Sequence, residues 1–294
     1  MLLRGSFPVM VTPMNADYSV DFGGLRDNID FYIDRGARGL IPLGSTGEFS
    51  SLTSEERFAV AEAAIDHVAG RTHVIVGASA EATVEAIEYA QQARSAGADA
   101  VMILPPYYCK PLADEIYCHF ADIARAVDIP IMVYNNPGTT GVDVLAETVL
   151  RLAHEFDNVA YIKESTGDVR RIRDILLDGN EDITGFCGAE DLVIESLLVG
   201  AKGWVSVVGN VVPDRVTQLF EAVADRGDME EGWKIYRDIL PMCRFLEECG
   251  KMAQATKAAM EHIGQAGGPA RPPRRPLSPG QLEEMADLLG RLGL

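Results

Sequence analysis

Residues 159–165 read Val-Ala-Tyr-Ile-Lys-Glu-Ser, a short apolar run that ends in a lysine, a carboxylate and a hydroxyl. Comparable runs recur along the chain at 5–12, 39–46, 73–79, 100–106, 130–137, 183–188 and 203–210. Runs this short and this uniformly apolar are typical of strands that are buried on both faces, as parallel sheets require. The sequence therefore predicts eight parallel strands.

Segments with helical periodicity separate these runs. They lie at 21–35, 54–68, 82–96, 113–126, 146–155, 169–178, 189–199 and 214–225. Thr53 stands before Glu55 and Glu56, a hydroxyl cap followed by acidic residues that suit the positive end of a helix. Eight alternations predict an α/β fold, a (β/α)8 TIM barrel with a C-terminal helical extension. An open doubly wound sheet is the alternative, but none of the first three strand ends carries its GxGxxG turn.

The pattern changes after residue 226, where the strand signal stops. Helical patterns follow at 229–248, 251–262 and 279–292, and residues 267–276 form a basic, proline-rich stretch that reads as a connector. We therefore predict a catalytic barrel at 1–226 and a helical region at 227–294 packed on the barrel.

The charge balance excludes some partners. The 294 residues include 26 Lys+Arg and 44 Asp+Glu, for a net charge of −18, which repels nucleic acids and anionic membranes. The sequence offers neither a run of about 20 apolar residues nor a signal peptide, so a cytoplasmic location is expected. Five scattered cysteines without a CxxC pair indicate neither a disulfide framework nor a structural zinc site.

In a TIM barrel the active site lies at the carboxyl ends of the strands. Lys163 ends the sixth run, and its parity with Tyr161 predicts that it points into the barrel mouth. Burying an ammonium costs several kcal/mol and favours the neutral, nucleophilic amine, which suits a Schiff base with a carbonyl substrate. The structural alternative is a lysine paired with a carboxylate such as Glu48.

Two further strand ends carry polar groups suited to that chemistry. Tyr134 ends the fifth run, and a positioned phenol can give and take the protons that imine formation moves. Its alternative is a core tyrosine with a satisfied hydroxyl. Gly44-Ser45-Thr46-Gly47-Glu48 ends the second run and offers hydroxyls and backbone N–H groups that suit a carboxylate. A structural turn capped by hydroxyls is the alternative there.

Other chemistries have less support. The five histidines lie away from strand ends and without ligand-like spacing, so no catalytic metal is expected. No GxSxG elbow is present. A pyridoxal phosphate enzyme would also use a lysine imine, with 207–210 as its phosphate loop, and it stays an open alternative.

The motifs at 44–48, 106–108, 134–137 and 162–164, in this order and spacing, resemble the dihydrodipicolinate synthase and N-acetylneuraminate lyase family. The resemblance covers nearly the whole chain. It implies a class I aldolase or lyase on a (β/α)8 barrel, usually a homotetramer built as a dimer of dimers, that needs no cofactor.

The resemblance also implies roles for individual residues. Lys163 would form an imine with pyruvate or another 2-oxo acid, and Tyr134 would relay protons. Ser45 would link that relay, and Tyr108 would complete it in a neighbouring subunit. The residues implied in substrate binding are Thr46, Gly47, Gly188, Val205 and Thr139.

Thr139 departs from the synthase pattern, in which an arginine at this position binds the carboxylate of the aldehyde substrate. A threonine cannot form that charged clamp. The expected reaction is therefore aldol cleavage or condensation, or dehydration, of a 2-keto-3-deoxy sugar-acid-like substrate. Condensation of pyruvate with aspartate semialdehyde, as in a 4-hydroxy-tetrahydrodipicolinate synthase, is the alternative reaction. A catalytically silent protein that binds 2-oxo acids is the alternative of a different class.

Overall fold

The computed structural model of the protein describes residues 2–179 and 182–294. Strands β1–β8 are Gly5–Pro8, Gly39–Leu40, His73–Gly77, Ala100–Ile103, Ile131–Asn135, Val159–Glu164, Thr184–Cys187 and Gly203–Ser206. Each lies within a predicted run and is shorter than that run.

The eight strands form one sheet in the order β1-β8-β7-β6-β5-β4-β3-β2. Residues at the end of β1 form hydrogen bonds with β8 on one side and with the residue after β2 on the other. Val9 N donates to Ser206 O of β8 at 2.9 Å, while Ile41 N, next to β2, donates to Pro8 O at 3.0 Å. The predicted (β/α)8 barrel is therefore confirmed, and the doubly wound alternative is wrong.

Helices α1–α12 are Phe22–Asp34, Ser54–Val68, Thr83–Ala96, Ala113–Ala126, Pro137–Thr140, Ala146–Glu155, Val169–Gly179, Val193–Leu198, Pro213–Phe220, Met229–Glu248, Met252–His262 and Pro279–Arg291. The periodicity did not predict α5. This single helical turn begins with a proline, and Asn136 caps its N-terminus. The predicted helix at 214–225 is α9 followed by the π-helical segment Glu221–Arg226. The helical extension after the barrel is present as α10–α12.

The start of α2 follows the sequence signal. Thr53 Oγ1 accepts from Glu56 N at 3.3 Å, and Glu56 Oε2 accepts from Thr53 N at 2.9 Å. This reciprocal capping box satisfies two backbone donors, which confirms the predicted cap.

Two strands begin with a glycine that lies against an aromatic ring. A Cβ added at Gly39 would lie 1.9 Å from Phe7 Cε1, and one added at Gly203 would lie 2.1 Å from Phe186 Cε1. Both phenylalanines are fully buried. Only glycine leaves room for these rings between neighbouring strands.

The described residues pack into two compact units. One holds the N-terminal residues up to Arg4 with Ile75–Val205, and the other holds Gly5–Val74 with Ser206–Leu294. This division does not test the boundary at residue 226, so domains 1–226 and 227–294 stay a prediction.

Candidate active site

Lys163 and Tyr134 lie side by side at the ends of β6 and β5. The two residues are register partners in the parallel pair, so their side chains leave the same face of the sheet. Lys163 Nζ lies 3.8 Å from the centroid of the Tyr134 ring. Both residues are buried, with 5% and 4% of their surface exposed. The structure thus brings together the two residues predicted to carry the chemistry.

Lys163 is a buried lysine that forms no ion pair with any carboxylate among residues 2–179 and 182–294. Glu48, the partner named in the structural alternative, binds Lys257 instead, with Lys257 Nζ 2.6 Å from Glu48 Oε1. That alternative is therefore wrong for this pair of residues.

The Tyr134 hydroxyl is tied to the loop that follows β5. Asn136 Nδ2 donates to Tyr134 Oη at 2.9 Å, and Asn136 Oδ1 accepts from Thr139 N at 3.2 Å. One amide side chain thus links the phenol to the turn that carries Thr139. Thr139 itself is exposed.

A polar network lies behind these two strand ends. Asn135 Nδ2 donates to Glu164 Oε2 at 3.1 Å and to Asp143 Oδ1 at 2.9 Å, and Arg171 forms a bidentate pair with Asp143. Burial raises the pKa of Glu164 above its ordinary value. Burial also acts to raise the pKa of Asp143, but hydrogen bonds from Arg171 and Asn135 outweigh it and lower that pKa. The network joins β5 to β6 directly beside Tyr134 and Lys163.

Gly188 leaves space next to the lysine. It follows β7, and its N donates to Glu164 O at 2.8 Å. A Cβ at this position would lie 2.0 Å from Ser165 Oγ and 2.9 Å from Lys163 Cε. Any larger residue would therefore displace the lysine stem or the serine hydroxyl. Val205, also predicted to line the substrate site, is buried on β8.

Ser165 is a candidate that the sequence analysis missed. Its Oγ is buried and has no hydrogen-bond partner among the described residues, although a buried hydroxyl normally has one. The signal available in the sequence was its position two residues after Lys163, on the same parity. The orphaned hydroxyl beside Gly188 is a polar group that a bound ligand could satisfy.

Tyr108 lies on an exposed loop of the same unit. Its side chain is 88% exposed, while its backbone N donates to Glu81 Oε2 at 3.0 Å. Tyr107 N also donates to this carboxylate. The loop backbone is thus fixed while the phenol projects into solvent.

The predicted carboxylate-binding loop belongs to the other unit. Ser45 is half-buried and Thr46 is 3% exposed, with Thr46 Oγ1 4.0 Å from Met252 Sδ. Gly47 O accepts from Thr12 Oγ1 at 2.7 Å, and a Cβ on Gly47 would lie 2.9 Å from Met10 O. The loop is therefore held tightly against the end of β1.

The proposed phosphate loop of a pyridoxal enzyme does not fit that role. Asn210 is fully buried, and its amide binds Val9 O, Val207 O and Val11 N within the protein. Tyr32 Oη also donates to Asn210 Oδ1, at 2.8 Å. These donors and acceptors are already satisfied, so the amide has nothing left for a phosphate.

Metal clusters and membrane spans are both absent from the described residues. These residues contain no group of three or more His, Cys, Asp or Glu side chains placed to hold a metal ion. No helix within 2–179 and 182–294 has the length and apolar character needed to cross a membrane. All five cysteines are free thiols, of which Cys109 and Cys118 are exposed.

The comparisons with known proteins cover almost all of the chain. The sequence model of the dihydrodipicolinate synthetase family matches residues 2–292. A 4-hydroxy-tetrahydrodipicolinate synthase of Pseudomonas putida (strain W619) is 37% identical over 293 residues, which span 100% of this chain and 99% of that protein.

Solved structures agree with the sequence match. Dihydrodipicolinate synthase from Aquifex aeolicus is 33% identical, with a TM-score of 0.96 over 99% of this chain and 98% of that one. The chloride-inhibited dihydrodipicolinate synthase from Acinetobacter baumannii, complexed with pyruvate, is 33% identical, with a TM-score of 0.95 over 99% of both chains. The chain therefore belongs to the dihydrodipicolinate synthetase family.

Proposed function

We propose that this enzyme condenses pyruvate with aspartate semialdehyde through an imine on Lys163. Enzymes of this family are class I aldolase-type lyases that work through a lysine Schiff base, so the silent binding protein is the wrong class. The observation that carries the proposal is the buried Lys163 amine, which has no carboxylate partner among the described residues and lies over the Tyr134 ring.

The chemistry begins at the ketone of pyruvate. The Lys163 amine attacks C2, and the resulting carbinolamine loses water to give the imine. The imine withdraws electrons from C3, which loses a proton and becomes the nucleophilic carbon of an enamine. That carbon attacks the aldehyde of the second substrate and forms the new C–C bond, while the aldehyde oxygen takes up a proton and becomes a hydroxyl. Hydrolysis of the imine then frees the lysine.

Tyr134 is the proposed proton carrier for these steps. Its hydroxyl accepts a hydrogen bond from Asn136 Nδ2, which orients the phenol and stabilises negative charge on its oxygen when the proton leaves. The phenol is also adjacent to the amine whose addition and dehydration require proton transfer. Ser45 and Tyr108 are the further members of the proposed relay.

The substrate carboxylate is assigned to the loop at 44–48. The Thr46 and Ser45 hydroxyls and the Gly47 region of the backbone are the proposed donors, because hydroxyls and loop N–H groups suit a carboxylate. Gly188 and Val205 are the proposed lining residues beside the reacting carbon. The absence of a side chain at Gly188 supports its assignment, since a Cβ there would lie 2.9 Å from Lys163 Cε.

A homotetramer is the proposed assembly, and the cytoplasm is the proposed location. The 88% exposure of Tyr108 supports the assembly, because a phenol that serves a neighbouring subunit has to project from its own. Glu81 fixes the backbone of that loop, which would keep the phenol oriented for the neighbour.

The second substrate is the point where the relatives and the residue pattern differ. The Pseudomonas putida relative is named as a 4-hydroxy-tetrahydrodipicolinate synthase. Such names favour aspartate semialdehyde over the sugar-acid-like substrate that the sequence analysis expected first. Thr139 is the specific observation that keeps the sugar acid as a second candidate, because an exposed threonine hydroxyl offers neutral hydrogen bonding where the synthase pattern has an arginine.

The test is intact-mass analysis after incubation with pyruvate and borohydride, followed by a substrate panel. We expect one reduced pyruvate adduct on the native protein and none on Lys163→Met. Aspartate semialdehyde and 2-keto-3-deoxy sugar acids are then assayed by pyruvate consumption and pyruvate release respectively.

Lys257→Met serves as the matched control, because it removes another buried lysine. It should retain the adduct at saturating pyruvate. Absence of an adduct on the native protein would overturn the imine, and turnover of the sugar acids alone would overturn the synthase assignment.

A further inference from the structure

We propose that the buried ion pair between Glu48 and Lys257 positions the carboxylate-binding loop at 44–48. Lys257 lies on α11 in the C-terminal helical region, 209 residues from Glu48 along the chain. The inference rests on the proposed function of this loop, and it adds positioning residues that do not touch the substrate.

The pair is almost completely removed from solvent. Lys257 Nζ lies 2.6 Å from Glu48 Oε1, and the two side chains are 2% and 0% exposed. Lys257 Nζ also donates to Pro269 O at 2.9 Å. Such a pair is stable only when its remaining hydrogen-bonding groups are satisfied, and its geometry is then strongly fixed.

The second oxygen of Glu48 is held by the basic connector that follows α11. Arg271 N donates to Glu48 Oε2 at 2.9 Å, and Arg274 Nη1 lies 3.5 Å from the same oxygen. Arg271 also makes a bidentate pair with Glu56, with both distances 2.6 Å. The carboxylate therefore joins three segments: the loop after β2, helix α11 and the connector.

The loop backbone needs such a restraint at Glu48. This residue has a φ of 59°, the left-handed region that side chains other than glycine and asparagine rarely adopt. Its N donates to Ser45 O at 3.1 Å, which closes the turn that carries both hydroxyls. A side chain fixed at both oxygens compensates for the strained backbone and fixes where the turn lies.

Helix α11 reaches the loop at a second point. Met252, at the start of this helix, is the residue whose sulfur lies 4.0 Å from Thr46 Oγ1. One helix thus contacts both the proposed carboxylate donor and the carboxylate that anchors its turn. Release of the Glu48 anchor would let the turn shift relative to this helix, and the hydroxyls would no longer be held in place for the ligand.

The test measures the pyruvate concentration that gives half-maximal imine trapping. In Lys257→Met and Glu48→Gln we expect this concentration to rise about tenfold or more, because a small displacement of positioning groups is costly. At saturating pyruvate the adduct should still form on Lys163. The double variant Lys257→Met/Glu48→Gln removes the unpaired charge, so its melting temperature should partly recover while its half-saturating concentration stays high.

Arg215→Met is the matched control. Arg215 Nη2 donates to Leu292 O at 2.8 Å in the C-terminal region, and the bond does not involve the loop. This variant should lower thermal stability without changing half-saturation. Two outcomes would overturn the positioning role. One is an unchanged half-saturating pyruvate concentration in the folded Lys257→Met protein. The other is a double variant in which stability and the native half-saturating concentration recover together.

The native protein separates this inference from the proposed function. If the pyruvate imine is trapped on the native chain but the half-saturating pyruvate concentration is unchanged in the variants, the positioning role is overturned and the proposed function stands. Failure of trapping on the native chain overturns both.

Discussion

Two lysines among the described residues are buried, and their surroundings are opposite in character. Lys257 is 1% exposed and is paired with Glu48, while Lys163 is 5% exposed and lies over an aromatic ring. Burial lowers the pKa of Lys257, and the Glu48 carboxylate opposes that shift. The comparison teaches that burial alone does not identify a reactive lysine. A buried amine whose charge is compensated holds structure together, and one without a carboxylate is available for chemistry.

The largest expected effect is that of replacing Lys163, the buried lysine without a carboxylate partner among the described residues. Lys163→Met should lower kcat by at least about 10³-fold, because the variant lacks the amine that is proposed to form the covalent intermediate. The free energy of unfolding should change by less than about 1 kcal/mol, since no ion pair is lost. Steady-state kinetics and urea denaturation at equal protein concentration measure the two quantities. Retained activity would refute the role of Lys163.

The second largest effect is that of replacing Lys257, the buried lysine that is paired with Glu48. Lys257→Met leaves the Glu48 carboxylate buried without its main cation, which should reduce the free energy of unfolding by about 3–5 kcal/mol. Urea denaturation beside Lys163→Met gives the comparison directly. Equal stability losses in the two variants would show that the lysines do not differ in this way.

The third prediction introduces a cation at an exposed position, residue 139, and tests whether the missing positive charge limits binding of the second substrate. Thr139→Arg should lower the KM for aspartate semialdehyde by about tenfold, because a guanidinium binds a carboxylate bidentately. The KM for pyruvate should stay the same. Thr139→Gln controls for side-chain length without charge, and an equal improvement in that variant would exclude the charge as the cause.

The smallest effect concerns the carboxylates of the two regions. Glu164 is buried like Glu48, but it is held by Asn135 Nδ2 and Thr166 N, and burial raises its pKa. The folded state therefore binds its proton more tightly than the unfolded state, whose pKa is near 4.5. The free energy of unfolding should therefore fall as pH rises from about 4.5 through the folded pKa. Glu164→Gln should lose this slope in urea titrations across that pH range, and an unchanged slope would contradict the assignment.

The sequence predicted what depends on periodicity and order along the chain. Alternating apolar runs and helical segments were enough for the barrel, and the helix at Ser54–Val68 begins and ends where predicted. Parity along β5 and β6 was enough to bring Tyr134 and Lys163 to one face. These features follow from local geometry repeated along the chain, which a single sequence records directly.

The sequence could not predict contacts that depend on how distant segments fold back. Neither residue of the Glu48 and Lys257 pair carries a local sign of its partner, since the connector and α11 meet the loop only in the folded chain. Ser165 was missed for a different reason. A serine after a strand is ordinary, and only its orphaned Oγ in the structure makes it notable.

The exposed Tyr108 has a consequence for mixtures of variants. In the proposed assembly each site takes Lys163 from one subunit and Tyr108 from its neighbour, so two defective proteins can complement each other. A Tyr108→Phe subunit still supplies the lysine, and a Lys163→Met subunit still supplies the phenol. Mixed oligomers of the two would regain one complete site in each such pair, and the recovered activity would depend on the ratio of the two chains rather than on either variant alone.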